Sequence, residues 1–293
     1  LSDLRHLQPT DELPVPPPPR RGPSRTVILI AGLVAVALVA TLVFVLVRPG
    51  GSGPTGPGTT TPETSAPPKP SAGEDTSAGK MLNWGTPKFT DEFNSADDLE
   101  KWDVYDGEGH NGNGRRSPDQ MKIDDGILTI DGDSDGTTGG MGLDLGQKYG
   151  RWEGRVKAPA SDDTYHAVML LWPDSEKWPQ DGEIDFMEML DPNRQDTDSY
   201  VHYGKDNQQI HNEVQTDATQ WHNWAVEWTS EHIIGYLDGR EWFRITDPKA
   251  LPPGNMHLAI QLDWFPEDGD KKDVKPSEMQ IDWVKQYPYP AAG

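Results

Sequence analysis

Residues 178–188 read W-P-Q-D-G-E-I-D-F-M-E and place three carboxylates, Glu183, Asp185 and Glu188, within six residues. A helix would scatter side chains at these spacings around its axis. A strand alternates its side chains with period two, so Glu183 and Asp185 share one face and Glu188 falls on the other. One extra residue around Phe186 and Met187, a β-bulge, returns Glu188 to the face of Glu183 and bends the strand. The stretch therefore predicts a bulged strand with three acids on one face.

Three like charges on one face repel, which raises at least one of their pKa values. A structural strand gains nothing from that conflict. A retaining glycosidase depends on it: one carboxylate attacks the sugar, and a second, kept protonated, donates its proton to the leaving oxygen.

Residues 83–287 hold short apolar stretches broken by Gly, Asp, Asn and Pro, without a long helical period. That pattern predicts an all-β sandwich or barrel. Strands are expected at 122–123, 127–130, 151–157, 165–171, 183–189, 198–202, 221–228, 232–237, 241–245, 256–262 and 279–287. The D-G pairs at 125–126 and 238–239 read as hairpin turns. Residues 97–102 and 247–251 read as single helical turns.

The set of motifs resembles glycoside hydrolase family 16, in its laminarinase-type branch with the bulged strand. G-E-I-D-F-M-E at 182–188 matches the family's E-x-D-x-x-E signature, preceded by W-P-x-x-G at 178–182. F-T-D-E-F-N at 89–94 is similar to the family's opening strand, and Y-G-R-W-E-G-R-V-K-A-P at 149–159 to the strand before the active site. V-H-Y-G at 201–204 is similar to the strand after it, and M-Q-I-D-W-V-K-Q-Y at 279–287 to the closing strand. The resemblance spans nearly all of residues 83–287. It implies a β-jelly-roll sandwich, concanavalin A-like, of two antiparallel sheets with a glycan cleft on the concave face. It also implies roles: Glu183 as nucleophile, Glu188 as acid/base, and Asp185 between them, hydrogen-bonding Glu183 and placing the acid's proton.

All eleven Trp lie after residue 80. Trp224, Trp228, Trp242 and Trp283 alternate with polar residues on expected strands and read as packing. Trp178 precedes Glu183, Trp172 ends the neighbouring strand, and Trp264 sits in a D-W-F-P stretch. Sugar rings stack their C–H faces on aromatics, so these three are candidates for substrate contact, with burial the alternative for each. By resemblance, Trp178 lines the subsite next to the cleaved bond, and His202 matches a family histidine near the acid/base. The N-G-N-G-R-R-S-P loop at 111–118 departs from the family's N-E-x-Q pattern. There Asn113 and Arg115 either hydrogen-bond sugar hydroxyls or belong to a solvated loop. D-G-D-S-D at 131–135 lacks the spacing of a calcium-binding EF-hand loop. By resemblance, a structural Ca²⁺ on the convex face would use Glu92 and Asp282. No cofactor is expected for catalysis.

The first 80 residues are of another kind. Residues 1–25 form a Pro-rich polar tail, too poor in apolar groups to build a core. Residues 26–47 are 22 residues without a charge. As a helix they span about 33 Å, enough to cross a bilayer. The competing reading, a secretory signal, has a shorter apolar region of roughly 7–15 residues followed by a small-x-small site. Arg20, Arg21 and Arg25 precede the segment and Arg48 follows it, which leaves the N-terminus cytoplasmic and exports the remainder. Residues 48–80 are a Gly/Pro/Ser/Thr linker, and 81–293 the catalytic domain.

Residues 1–80 contain seven Lys and Arg and six Asp and Glu, leaving 19 and 42 in residues 81–293, a net charge of −23. Such a domain repels nucleic acid and anionic polysaccharides, so a neutral polysaccharide is the expected partner besides the membrane. With no Cys, disulfides and thiolate metal sites are excluded. These readings point to a single-pass, membrane-anchored bacterial protein, by resemblance of actinobacterial type, with an extracellular catalytic domain. Its expected activity is retaining endo-hydrolysis of β-1,3 or mixed β-1,3/1,4 glucans. Transglycosylation on the same glycans and a non-catalytic lectin-like domain stand as alternatives.

Overall fold

Apolar alternation interrupted by tight Asp-Gly turns produces two large antiparallel sheets. The computed structural model describes residues 75–269 and 271–289. One sheet runs in the order β16 (Arg240–Ile245), β15 (Ile233–Leu237), β14 (His222–Trp228), β9 (Gly150–Lys157), β18 (Ser277–Pro288), β6 (Ile127–Gly132) and β5 (Met121–Asp124). Strand β1 (Phe89–Asp91) pairs with β18 at its edge. The second runs β13 (Gln208–Gln215), β12 (Asp196–Tyr203), β11 (Glu183–Met189), β10 (Tyr165–Pro173), β17 (Met256–Trp264), β8 (Gly140–Gly142) and β2 (Asp103–Val104). A small ribbon of β3 (Gly107–Glu108), β4 (Arg115–Arg116) and β7 (Thr137–Thr138) completes the set. This is the jelly-roll-like sandwich expected from the sequence.

The core lies between the two large sheets. Trp152 and Val156 of β9, Trp224 and Trp228 of β14, and Met279, Ile281 and Val284 of β18 meet Ala167, Met169 and Leu171 of β10 and Leu258, Ile260 and Leu262 of β17. Both Asp-Gly turns form as expected, with positive φ at Asp125, Gly126, Asp238 and Gly239. Strand β13 was not foreseen: it is an exposed, polar edge strand whose sequence, Q-Q-I-H-N-E-V-Q, lacks apolar alternation. Trp283 also differs from its reading as packing. A bulge between Ile281 and Trp283 turns both Asp282 and Trp283 outward, and Lys285 Nζ stands 4.0 Å from the Trp283 ring centre.

The helical turn α1 (Ala78–Met81) straddles the boundary read between linker and domain. It packs on β14, β15 and β18 with Trp84, whose ring meets Tyr236 and Tyr287 edge-on. A Cβ on Gly79 would come within 2.2 Å of the Tyr287 hydroxyl, so only glycine permits this approach. The backbone N–H groups of Ala78 and Gly79 donate to the buried Glu153 carboxylate at 2.5 and 3.0 Å. Burial raises the Glu153 pKa to about 7 despite those bonds. The Pro-rich tail, the apolar run at 26–47 and linker residues 48–74 lie outside the described residues. Among the described residues, no helix is long and apolar enough to cross a membrane.

Candidate active site

Strand β11 sits inside its sheet, between β10 and β12. Its pairing puts Leu170 opposite Asp185 but Met169 opposite Met187, which makes Phe186 the extra residue of a bulge. On the other side, Tyr200 faces Asp185 and Asp198 faces Glu188. The bulge sends Phe186 and Met187 both inward, where they join Ile184 and Met189 in the core. Burying each of those two side chains contributes about 1.5–3 kcal/mol, which offsets the interrupted ladder. Glu183, Asp185 and Glu188 are left on the opposite face, as the spacing predicted.

The three acids have different surroundings. The indole N–H of Trp178 donates to Glu183 Oε2 at 2.5 Å. Asp185 is nearly inaccessible, and its Oδ2 lies 3.4 Å from His202 Nε2. The other ring nitrogen of His202 donates to Asn207 Oδ1 at 2.8 Å. Burial and the neighbouring Asp185 charge push Glu183 well above its ordinary value. Burial raises Asp185 to about 6 against the lowering effect of His202. Burial alone would lower His202, but its bond to Asp185 and the charges of Asp185 and Glu183 carry it up to about 10. Near neutral pH, His202 is an imidazolium that partly neutralises two crowded carboxyls.

The remaining predicted contacts divide. Trp172 and Trp178 stand nearly parallel, with ring centres 6.4 Å apart at 10°, beside Glu183. Trp264 pairs with the buried Tyr165 and packs against the core, its indole N–H donating to Thr164 Oγ1 at 3.1 Å. A Cβ on Gly136 would lie 2.2 Å from the Trp264 ring, so the indole is seated on backbone. Alternation along β17 gives the acid side to Asp263 instead. Asn113 is half-buried, and Arg115 is exposed and ion-paired with Asp106. His202, by resemblance near the acid/base, lies against Asp185.

Glu92 and Asp282 do not fit a cation site here. Glu92 is exposed, while the Asp282 carboxylate already accepts from Arg155 Nη1, whose charge opposes a metal ion. Among the described residues, the cluster of metal-capable groups is Glu183, Asp185 and His202.

Sequence reading missed a second polar group on the same face. His166 lies beside Glu188, and Asp263 on β17 is registered opposite His166. Arg116 Nη2, buried, donates to Asp263 Oδ1 at 2.5 Å, and His110 Nδ1 stands 3.7 Å from Asp263 Oδ2. Asp198 accepts from His211 Nε2 at 2.5 Å. Arg116 adjoins the singled-out Arg115, and in the two-residue strand β4 it is Arg116 that is buried.

The family model described as Glycosyl hydrolases family 16 matches residues 111–285. The chain belongs to that family. Over 164 residues it is 30% identical to a beta-glucanase of Rhodothermus marinus, covering 47% of this chain and 57% of that protein. Over 172 residues it is 29% identical to glucan endo-1,3-beta-glucosidase A1 of Niallia circulans, covering 49% of this chain and 25% of that one. The chain thus spans less than two thirds of either relative. Among solved structures, the LamAcat domain of Zobellia galactanivorans superposes with a TM-score of 0.63 at 20% identity, covering 71% of this chain and 99% of that one. That likeness supports the fold of this family 16 domain.

Proposed function

We propose that this family 16 protein is a retaining endo-β-glucanase acting on β-1,3 or mixed β-1,3/1,4 glucans. The observation that carries the reading is the bulged β11, which turns three carboxyls to one face, one of them bonded to Trp178. The printed names of the two curated relatives, a beta-glucanase and an endo-1,3-beta-glucosidase, support the substrate class.

In the first half-reaction, ionised Glu183 attacks the anomeric carbon. The bond to the leaving oxygen breaks as Glu188 gives that oxygen its proton, and a glycosyl ester forms on Glu183. In the second, Glu188 takes a proton from water, the hydroxide oxygen attacks the anomeric carbon, and the ester bond breaks to regenerate Glu183. Trp178 and the His202–Asp185 pair hold Glu183 in place. The Trp172–Trp178 pair offers apolar ring faces to the sugar.

The test is reducing-sugar release by residues 75–293 from laminarin, lichenan, curdlan, agarose and xyloglucan, with the first anomer followed by NMR. Release from laminarin or lichenan with retained configuration is expected. An inverted first product, or silence across the panel with binding intact, overturns the reading. Longer chains appearing from short oligosaccharides would replace hydrolysis by transfer.

The apolar run at 26–47 anchors this domain to a membrane and exports it, a reading supported by its length and the Arg residues before it. The full chain should then stay with carbonate-washed membranes, with the domain open to protease on intact cells. Recovery of the full chain in a soluble fraction would refute the anchor.

A further inference from the structure

The side of Glu188 away from Glu183 and Asp185 is occupied by a histidine to which the mechanism above gives no task. His166, on β10, is 4% exposed, and its Nδ1 is buried with no hydrogen-bond partner. That nitrogen stands 3.8 Å from Glu188 Oε1. The opposite nitrogen, Nε2, stands 3.4 Å from Oδ2 of Asp268, a half-exposed carboxylate in the loop after β17. The ring lies flat against Phe265, with centres 4.3 Å apart at 22°, and His110 lies against Phe265 at 4.5 Å. A cleft of about 400 Å³ lined by Asp163, His166, Leu190, Pro192 and Asp268 opens beside it.

A buried ring nitrogen without a partner costs stability. Such a nitrogen, next to a carboxyl of the proposed site, asks for a partner. Glu188 must present a proton to the leaving oxygen from one carboxyl oxygen, and a donor on the other oxygen fixes which one carries it. The groups facing Glu188 are Asp185 and Glu183 on its own strand, Asp198 and Tyr200 on β12, and His166 on β10. Asp198 is a carboxyl already held by His211, which leaves the Tyr200 hydroxyl and the His166 ring as donors, and His166 Nδ1 is the one within 3.8 Å of a Glu188 oxygen among the contacts of described residues. His166 itself faces Asp263 across the β10–β17 ladder and Asp268 from the loop.

We propose that His166 is the positioning residue of the acid/base: its Nδ1–H holds Glu188 Oε1 and leaves the catalytic proton on Oε2. The Phe265 face fixes the plane of the ring, and Asp268 stands at its other nitrogen. The inference rests on Glu188 being the acid/base. Closing 3.8 Å to a hydrogen bond needs about 1 Å of motion, within one Glu side-chain torsion. Hydrogen bonds of this kind commonly tighten only when substrate binds.

The experiment compares wild type, His166→Leu, His166→Gln, Asp268→Asn and Glu188→Gln on two substrates. One is laminarin, whose leaving sugar needs the proton; the other is a dinitrophenyl β-glucan oligosaccharide, whose leaving group does not. For glycosylation of the activated substrate, measured by the dinitrophenol burst, His166→Leu should stay within about twofold of wild type. On laminarin its kcat should fall about tenfold, a part of the 10²–10⁴-fold that general acid catalysis supplies. His166→Gln, which keeps a donor, should recover part of that loss, and Asp268→Asn should lose less in the same direction. An equal loss of His166→Leu on both substrates, or no loss on laminarin, overturns the proposal. If Glu188→Gln itself shows no leaving-group dependence, the assignment of the acid/base fails instead.

Discussion

Glu183→Gln is expected to abolish glucan hydrolysis, by roughly 10⁴-fold or more, while leaving the domain at least as stable as wild type. The amide is nearly isosteric and its carbonyl oxygen still accepts from Trp178, so the site keeps its shape. What it loses is the electron pair that attacks the sugar in the proposed mechanism. The stability half follows from the pKa shift. Burial and the Asp185 charge raise Glu183 in the folded protein, so between its ordinary and its raised value the folded state holds more protons. Stability therefore falls as pH rises through that window. The amide carries no such penalty, and its Tm near pH 7 should match or exceed wild type. Catalytic sites characteristically give up stability in this way. Residual hydrolysis within tenfold of wild type would remove Glu183 as the nucleophile. A clearly lower Tm would show that the crowded carboxyls are compensated by contacts the amide breaks.

The strand that carries this chemistry was legible because its signal is local. Two acids at i and i+2, a third at i+5, and apolar residues between leave one way to put the acids together, and Phe186 is the residue that does it. The two-sheet fold was legible for a related reason: Asp-Gly pairs and alternating β-branched residues mark hairpins within a few positions. Partners that meet through long-range register left no such trace. His166 faces Asp263, and Arg116 reaches the same carboxylate, across separations of 97 and 147 residues. Trp264 illustrates the limit at a strand end, since the strand runs two residues past the expected 262 and alternation turns the indole away from the acids. At the N-terminal boundary composition misled in the same way. Ala78 and Gly79 read as linker, yet their smallness is what lets them sit under Tyr287 and on Glu153.

Asp185→Asn and His202→Gln should both slow the enzyme, on the order of 10²-fold for the first, the loss expected when a positioned nucleophile shifts by about 1 Å. Their pH profiles should separate them. In the proposed mechanism the acidic limb of kcat/KM reports ionisation of Glu183 in the free enzyme, and the adjacent Asp185 charge bears on it. After burial, the Asp185 charge is the main influence that raises Glu183. Its removal lets Glu183 ionise more readily, and the limb moves to lower pH. His202 acts in the opposite sense, since its positive charge lowers both carboxyls. Replacing it with a neutral amide leaves two crowded acids unrelieved, and the limb moves to higher pH. A variant that only loosened the fold would lower the rate without moving the limb, and one that only weakened substrate binding would raise KM. Opposite shifts from two residues 3.4 Å apart are what an electrostatic triad of Glu183, Asp185 and His202 requires. Limbs that move together, or stay in place, would show that Asp185 and His202 support the strand rather than the charge on Glu183.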